Sequence, residues 1–195
     1  HVFHFHVSFM KEFLKLLKEN KQYKEIMQSL PAGKDCAVNG LWGSSANFFV
    51  AAIAGERLKA SKVRPKLLVV VPNIEEADED LEDLNTFLPG HTSLFPAGEN
   101  IFADDFEDDV DIQAQRIHVL NQILHDDVHA KHNLDIIVAP IQAILQPVPS
   151  PRLISENILR IQRNREYPLE ELIAWLHDHH YRLTSQVENA GGYAL

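Results

Sequence analysis

The sequence is poor in cysteine, since its 195 residues include only Cys36. A single cysteine excludes an internal disulfide framework and cannot by itself complete a zinc site. This usage is typical of a reducing compartment, so the cytoplasm is the expected location. Cys36 itself is expected to be a small buried residue next to a strand.

Membrane-spanning runs and secretion signals are also absent from the pattern. The apolar run from Leu67 to Pro72 is far shorter than the roughly 20 residues that a membrane-spanning helix needs. The start of the chain does not combine a charged segment, an apolar segment and a small-residue cleavage site. We therefore expect no membrane partner.

Basic residues are scarce relative to acidic ones. The 18 lysines and arginines stand against 28 aspartates and glutamates, which gives a net charge of −10. Such a field repels a phosphate backbone, so direct nucleic-acid binding is not expected. The apolar share of 45% is enough to build a buried core.

The N-terminal stretch divides into a leader and a helical segment. Residues 1–9, "HVFHFHVSF", precede a natural start at Met10 and are expected to be non-native or disordered. In an extended strand alternate residues such as His4 and His6 share a face, so His1, His4 and His6 could bind a metal, although a plain strand or a non-native leader is the simpler interpretation. Residues 10–34 are predicted to be helical, because apolar residues recur there at spacings of three and four.

Residues 35–150 carry the pattern of an α/β domain. Four apolar strands are predicted, at "DCAVNG", "KLLVVVP", "HTSLFP" and "LDIIVAP". Helices are predicted between them, over Ser45 to Lys59, Ile74 to Phe87 with Asn73 as its cap, and Val110 to His125. Strands that alternate with helices predict a parallel sheet with helices on both faces.

A second, smaller domain is predicted over residues 151–195. Three prolines in "QPVPSPRL" end the α/β pattern and indicate a boundary. Beyond it we expect a strand at "NILRIQRN", a helix from Pro168 to His179, and a strand pair in "YRLTSQVENAGGYAL" with a turn at Gly191 and Gly192. The last strand has no length to pair over, so this α+β piece is expected to be truncated at Leu195.

The loop "GLWGSSAN" lies where a nucleotide-binding protein places its phosphate loop. A working loop has the form G-x-x-x-x-G-K-[ST], in which glycines expose backbone N–H groups, lysine reaches the phosphates and a hydroxyl binds Mg²⁺. The degenerate loop consists of Gly40, Gly43, Ser44, Ser45, Ala46 and Asn47. Ser45 replaces the second glycine, Ala46 the lysine and Asn47 the hydroxyl residue, so the loop is either a ruined phosphate site or a coincidental turn. Neither supports phosphoryl transfer, and no bound cofactor is expected.

Six segments in this order resemble the N-terminal region of the bacterial transcription-repair coupling factor family, a degenerate relative of the excision-repair protein UvrB. They are the loop, "LLVVVPNIEEADEDLEDL", "LFPAGE", "DIQAQRI", "DIIVAPIQAILQPVPSP" and "YRLTSQVENAGGYAL". UvrB has "GVTGSGKT" where this chain has "GLWGSSAN". The resemblance covers roughly Asp35 to Leu195 and implies a helicase-like, RecA-like α/β domain with a degenerate phosphate loop, followed by a partial UvrA-recruiting domain.

The resemblance also implies a function. The chain would be a non-catalytic module that recruits UvrA to stalled RNA polymerase in transcription-coupled nucleotide excision repair. ATP, Mg²⁺, RNA polymerase and DNA would engage only other modules of the full-length DNA translocase. Only twenty residues separate Phe95 from Arg116, so the DNA-gripping hairpin that UvrB inserts there is missing. The alternative is an active, nucleotide-dependent UvrB-like helicase or excinuclease subunit.

One UvrA contact residue is carried over from the family to this chain. Arg182 of "YRL" matches a UvrB arginine at the start of the strand pair, and an ordinary solvated charge is its alternative interpretation. The resemblance implies that the main contact arginine follows "GGYAL", beyond Leu195. The chain alone is therefore expected to bind UvrA poorly.

Other clusters offer weaker chemistry. His125, His129 and His132 have spacings that one helix face could present to zinc, but no cysteine or well-placed acid completes the site. The acidic run "ADDFEDDVD" lacks the glycine and the spaced oxygen ligands of a calcium loop. No metal site is therefore predicted.

Overall fold

The computed structural model describes residues 12–30, 33–60, 66–98, 110–124, 134–188 and 191–195. The leader at 1–9, the histidines His125, His129 and His132, and most of the acidic run lie outside these ranges. None of the helices described is long and apolar enough to span a membrane.

Helices and strands alternate through the first three quarters of the chain. The helices are α1 (residues 12–19), α2 (Lys21–Ser29), α3 (Ser45–Ala60), α4 (Ile74–Phe87), α5 (Val110–Leu124), α6 (Ile141–Leu145), α7 (Pro151–Glu156) and α8 (Leu169–Asp178). The strands are β1 (Leu67–Val71), β2 (Thr92–Leu94), β3 (Ile136–Pro140), β4 (Arg182–Leu183) and β5 (Gly192–Tyr193).

The main sheet has three parallel strands in the order β1-β3-β2. Ile136 is the register partner of Leu67 on one side and of Thr92 on the other. The central strand β3 is buried along its whole length, which explains why "IIVAP" is apolar at every position instead of alternating. The predicted mixed α/β class with a parallel sheet is confirmed.

Helices cover both faces of this sheet. On one face, Ala51 and Ala54 of α3 and Leu84 of α4 pack against Ile136 and Val138 of β3. On the other face, β3 packs against Val119 of α5 and against Phe95 and Ala97, which follow β2. The alternation of β3 side chains thus supplies two hydrophobic clusters from one strand.

The predicted strand at "DCAVNG" is wrong. Residues 35–40 are exposed and belong to no strand, and Cys36 is exposed rather than buried. This segment offers one β-branched residue, Val38, between Asp35, Asn39 and Gly40, which are residue types that strands disfavour. The sheet therefore has three strands where the sequence predicts four.

The N-terminal helices pack on the far side of α3. The prediction of one helix or two short helices resolves into two, because Asn20 ends α1 and its side chain accepts a hydrogen bond from Tyr23 N at 3.1 Å to cap α2. Tyr23 packs with Ala52 and Ile53 of α3. Residues 48–55 of α3 are apolar at every position, as expected for a helix that packs on two sides.

The C-terminal segment differs from its prediction in three elements. No strand forms over residues 157–164, and the β4–β5 pair is parallel, with Arg182 opposite Gly192, rather than a hairpin with its turn at both glycines. Helix α7, which begins at Pro151, was not predicted, whereas α8 begins directly after Pro168 as predicted. The segment "NILRIQRN" has no neighbouring strand to pair with, so the alternation of its apolar and polar residues does not produce a strand.

Candidate functional site

The degenerate loop approaches α3 through two glycines in left-handed conformation. Gly40 has φ 82° and Gly43 has φ 52°, values that residues with a side chain rarely adopt. No atom lies within 4 Å of a Cβ added at either position, so backbone conformation rather than close packing requires glycine. The loop therefore keeps the glycine-dependent turn that sequence analysis expects.

The segment before the loop lacks the strand of a phosphate-binding unit. We expected a strand, a glycine turn and a helix in succession, yet residues 35–40 form no strand. The expectation of a retained strand–loop–helix scaffold is therefore wrong at its first element. Only the turn and the helix remain.

The side chain of Ser45 hydrogen-bonds to the backbone of the same loop. Its Oγ accepts a hydrogen bond from Trp42 N at 2.7 Å and donates one to Trp42 O at 2.8 Å. Serine at the start of a helix commonly bonds nearby backbone groups in this way. The residue that replaces the second glycine thus closes the turn.

Backbone N–H groups of the loop are used internally. Ser45 N donates to Trp42 O at 3.2 Å, Ala46 N to Gly43 O at 3.4 Å, and Phe48 N to Ser44 O at 2.9 Å. In a working phosphate loop such groups wrap around the phosphates. Here they are committed to the chain itself, which leaves fewer donors for an anion.

Asn47 points away from the loop into the contact between α3 and α4. Its side chain is 5% exposed, and its Nδ2 donates to Asp80 Oδ1 at 2.7 Å and to Asp83 Oδ2 at 3.2 Å. Two carboxylates therefore lie beside the position where a phosphate loop holds its Mg²⁺-binding hydroxyl. Their negative charges would disfavour a triphosphate at that position, and the contact was not predicted from the sequence.

Arg182 lies on the exposed strand β4. Its backbone N donates to Gly191 O at 2.9 Å, which fixes the start of the strand pair. Among the described residues, no carboxylate forms an ion pair with its guanidinium. The side chain is thus accessible to a partner.

A loop rich in arginine precedes α8 in the same segment. Tyr167 Oη accepts from Gln162 N at 2.9 Å and donates to Arg160 O at 3.3 Å, so the loop is closed by one side chain. The Arg165 guanidinium lies 5.5 Å from the centre of the Tyr167 ring. Arg160, Arg163 and Arg165 are exposed.

Arg116 is a buried cation that sequence analysis did not single out. It is 4% exposed, and its guanidinium donates to Pro96 O at 2.7 Å, Ala143 O at 3.5 Å and Pro147 O at 3.4 Å. Its Cζ lies 4.3 Å from the centre of the Phe95 ring. Burial lowers the pKa of this guanidinium from its usual value. Helical spacing could have indicated this burial, because Arg116 lies three residues before the buried Val119 and therefore on the same face of α5.

A second polar contact, also missed, joins the amino ends of β2 and β3. His91 Nδ1 lies 2.5 Å from Asp135 Oδ2, and Asp135 is 1% exposed. Asp135 N and Ile136 N both donate to His91 O, at 2.9 and 3.0 Å. These contacts hold the two strands in register.

Histidines elsewhere have structural contacts. His179 Nδ1 lies 2.8 Å from Trp175 O, and its ring stacks on Trp175 with centres 3.8 Å apart. His179 is the residue that follows α8 and caps its carboxyl end. Within the described ranges, no group of three or more histidine, cysteine, aspartate or glutamate residues is arranged to hold a metal.

The comparisons with known proteins provide no further assignment. No model of a protein family matches the chain, and no curated protein matches it.

Proposed function

We propose that the chain is a non-catalytic interaction module of the transcription-repair coupling factor type. It would recruit UvrA to stalled RNA polymerase in bacterial transcription-coupled nucleotide excision repair. The observation that carries the proposal is the loop "GLWGSSAN", which keeps Gly40 and Gly43 in left-handed conformation, while the Asn47 side chain, at the position of the Mg²⁺-binding hydroxyl, is bonded to Asp80 and Asp83. The order of the six resembling segments supplies the family.

The side chains at positions 46 and 47 support the proposed absence of catalysis, because these positions carry the lysine and the hydroxyl of a working loop. Ala46 has no charge to offset the negative charge that develops on a transferred phosphoryl group, and the loss of one such contact costs about 3 to 4 kcal/mol. Asn47 is engaged by Asp80 and Asp83. We therefore propose that ATP and Mg²⁺ act only in the motor region of the full-length protein.

UvrA is the proposed partner of the C-terminal segment. Arg182 is exposed on β4, where its guanidinium is available to a carboxylate. Charge pairs across an interface mainly set association rate and specificity, and breaking a buried pair costs about 2 to 5 kcal/mol. This supports a recruiting role in which arginines meet acidic groups on UvrA.

DNA and RNA polymerase are proposed to bind other modules. The net charge of −10 disfavours a phosphate backbone. A salt-dependent, submicromolar shift of duplex DNA at physiological ionic strength would contradict this part of the proposal. No feature of the loop favours the alternative of an active UvrB-like helicase subunit.

The test is capture of purified UvrA from the same source by this chain. We expect weak capture by the chain itself, stronger capture when the family's following strand with its arginine is appended, and a loss with Arg182→Glu. Arg152→Glu is the matched control, because it makes the same charge change at an exposed arginine of α7 that pairs with Glu156 at 2.7 Å. If the appended form ignores UvrA but captures RNA polymerase or DNA, the recruiting role is wrong.

A further inference from the structure

A linker of residues 146–150, "QPVPS", leads from α6 to α7, and its first residue is bonded to the loop that follows β2. Gly98 N donates to Gln146 Oε1, and Gln146 Nε2 donates to Gly98 O, both at 3.0 Å. Two bonds between the same two residues restrict rotation as well as separation. The linker therefore begins at a point that is fixed relative to the sheet.

Arg116 joins the same linker to α5. Its buried guanidinium donates to Pro147 O of the linker and also to Pro96 O and Ala143 O. A guanidinium carries five N–H donors in a rigid planar fork, so one side chain can fix three carbonyls relative to one another. Pro147 and Pro149 add stiffness, because each fixes its own φ angle and restricts the residue before it. The linker is thus both anchored and stiff.

Helix α7 continues directly from this linker and is docked near it. Ser150 Oγ caps the helix by accepting a hydrogen bond from Leu153 N at 3.2 Å, and Ile154 is 5% exposed. Helix α7 also contacts α5, the helix that carries Arg116. A helix of 6 residues is too short to persist alone in water, so α7 depends on this docking.

The chain after α7 is attached differently. Residues 157–167 form neither helix nor strand, and each hydrogen bond, ion pair and ring contact described for residues 158–195 lies within that stretch. None of the described residues after Ile154 is buried. Few buried contacts and an exposed backbone characterise segments that open or move at low cost in free energy.

We propose that Arg116 and Gln146 clasp the linker to the sheet, so that α7 moves with the sheet and the C-terminal part turns about residues 157–167. A proline-rich boundary is commonly the flexible joint between two units, but here the joint lies after α7. This pivot loop contains three exposed arginines, whereas α7 contains only Arg152; the three are Arg160, Arg163 and Arg165. Cleavage by trypsin therefore reports where the joint lies, independently of the proposed function.

Brief digestion of the folded chain with trypsin, followed by mass spectrometry, tests the proposal. Cleavage after the loop arginines should be faster than cleavage after Arg152 by about tenfold or more, because proteolysis follows the population of the locally open chain. Gln146→Ala should accelerate cleavage after Arg152 by about tenfold, because it removes half of the clasp. Gln162→Ala is the matched control, since it truncates an exposed glutamine whose backbone N alone is bonded, and it should leave Arg152 protected.

Three results of the digestion would overturn the proposal. Cleavage after Arg152 that is as fast as cleavage after the loop arginines would place the joint in the linker. Equal protection of all four arginines would mean that there is no joint. Protection of Arg152 that survives Gln146→Ala would mean that the clasp does not hold α7.

Distances between spin labels measure the motion with the clasp intact. In a chain with Cys36→Ser, one pair of labels joins Gln115→Cys on α5 to Ser155→Cys on α7, and a second pair joins Gln115→Cys to Glu171→Cys on α8; all three positions are exposed. Pulsed electron paramagnetic resonance should give a narrow distance distribution for the first pair and a broad one for the second. Equal widths would contradict a pivot between α7 and α8.

Discussion

The region of the parallel sheet and the segment after α7 contain similar elements but differ in burial. Leu84, Ile136 and Val138 are fully buried between helices and sheet. Among the described residues of 155–195, none is buried, and Leu183 on β4 is 60% exposed. Both regions contain helices that begin at a recognisable residue, Asn73 for α4 and Pro168 for α8, so local sequence is sufficient to form a helix. Burial requires a second layer, which β3 has on both faces and β4 lacks.

The largest effect that separates the two regions is expected from truncation of a core leucine. Leu84→Ala should lower the free energy of unfolding by about 2 to 5 kcal/mol, because it leaves a cavity between α4 and the sheet. Leu183→Ala should change it by less than about 0.5 kcal/mol. Urea denaturation followed by circular dichroism measures both, and equal effects would show that the segment after α7 also has a core.

A pair of arginines sharpens the same comparison. Arg116→Met should cost about 2 to 3 kcal/mol, because it leaves the carbonyls of the buried residues Pro96 and Ala143 without their donor. Arg165→Met also removes a guanidinium from above an aromatic ring, but in an exposed loop, and should cost less than about 0.5 kcal/mol. A loss for Arg165→Met as large as for Arg116→Met would contradict the difference in burial.

The runs of β-branched residues made the sheet predictable. "LLVVV" and "IIVAP" are found as strands, and Asn73 caps α4 as expected, accepting from Glu76 N at 2.8 Å. "DCAVNG" failed because its propensity is weak, and "NILRIQRN" because alternation alone does not supply a neighbouring strand. Local signals were reliable where tertiary packing reinforced them.

The polar contacts of the site were out of reach of sequence reasoning. Asn47 meets Asp80 and Asp83 across 33 and 36 residues, and His91 meets Asp135 across 44. Nothing local indicates such partners. Ser45 bonds locally to Trp42, whereas the hydrogen bonds of Asn47 follow from the packing of α3 on α4.

Substitutions of Asn47 should lower the free energy of unfolding by less than those of Leu84 or Arg116. Asn47→Ala should cost about 1 to 2 kcal/mol, because it removes hydrogen bonds to two carboxylates. Asn47→Asp should cost more at neutral pH, since three carboxylates then repel one another.

The pH dependence of Asn47→Asp provides its check. The folded form of this variant takes up protons more readily than the unfolded form, so its deficit should shrink as pH falls. Asn157→Ala is the control, because it removes an exposed side-chain bond to Leu153 O at 2.8 Å and brings no acids together. A deficit of Asn47→Asp that does not change with pH would mean that Asp80 and Asp83 are not its neighbours in solution.

The smallest expected effect is the response to nucleotide, and it tests the central claim most directly. Titration of the chain with Mg·ATP in a calorimeter should show no binding or a dissociation constant in the millimolar range, because Ala46 supplies no positive charge and the Asn47 side chain is bonded to Asp80 and Asp83. The triple variant Ser45→Gly, Ala46→Lys, Asn47→Thr should still show no ATP turnover, because residues 35–40 form no strand to position the loop. A dissociation constant in the low micromolar range for the unmodified chain would contradict the account and favour a nucleotide-dependent subunit like UvrB.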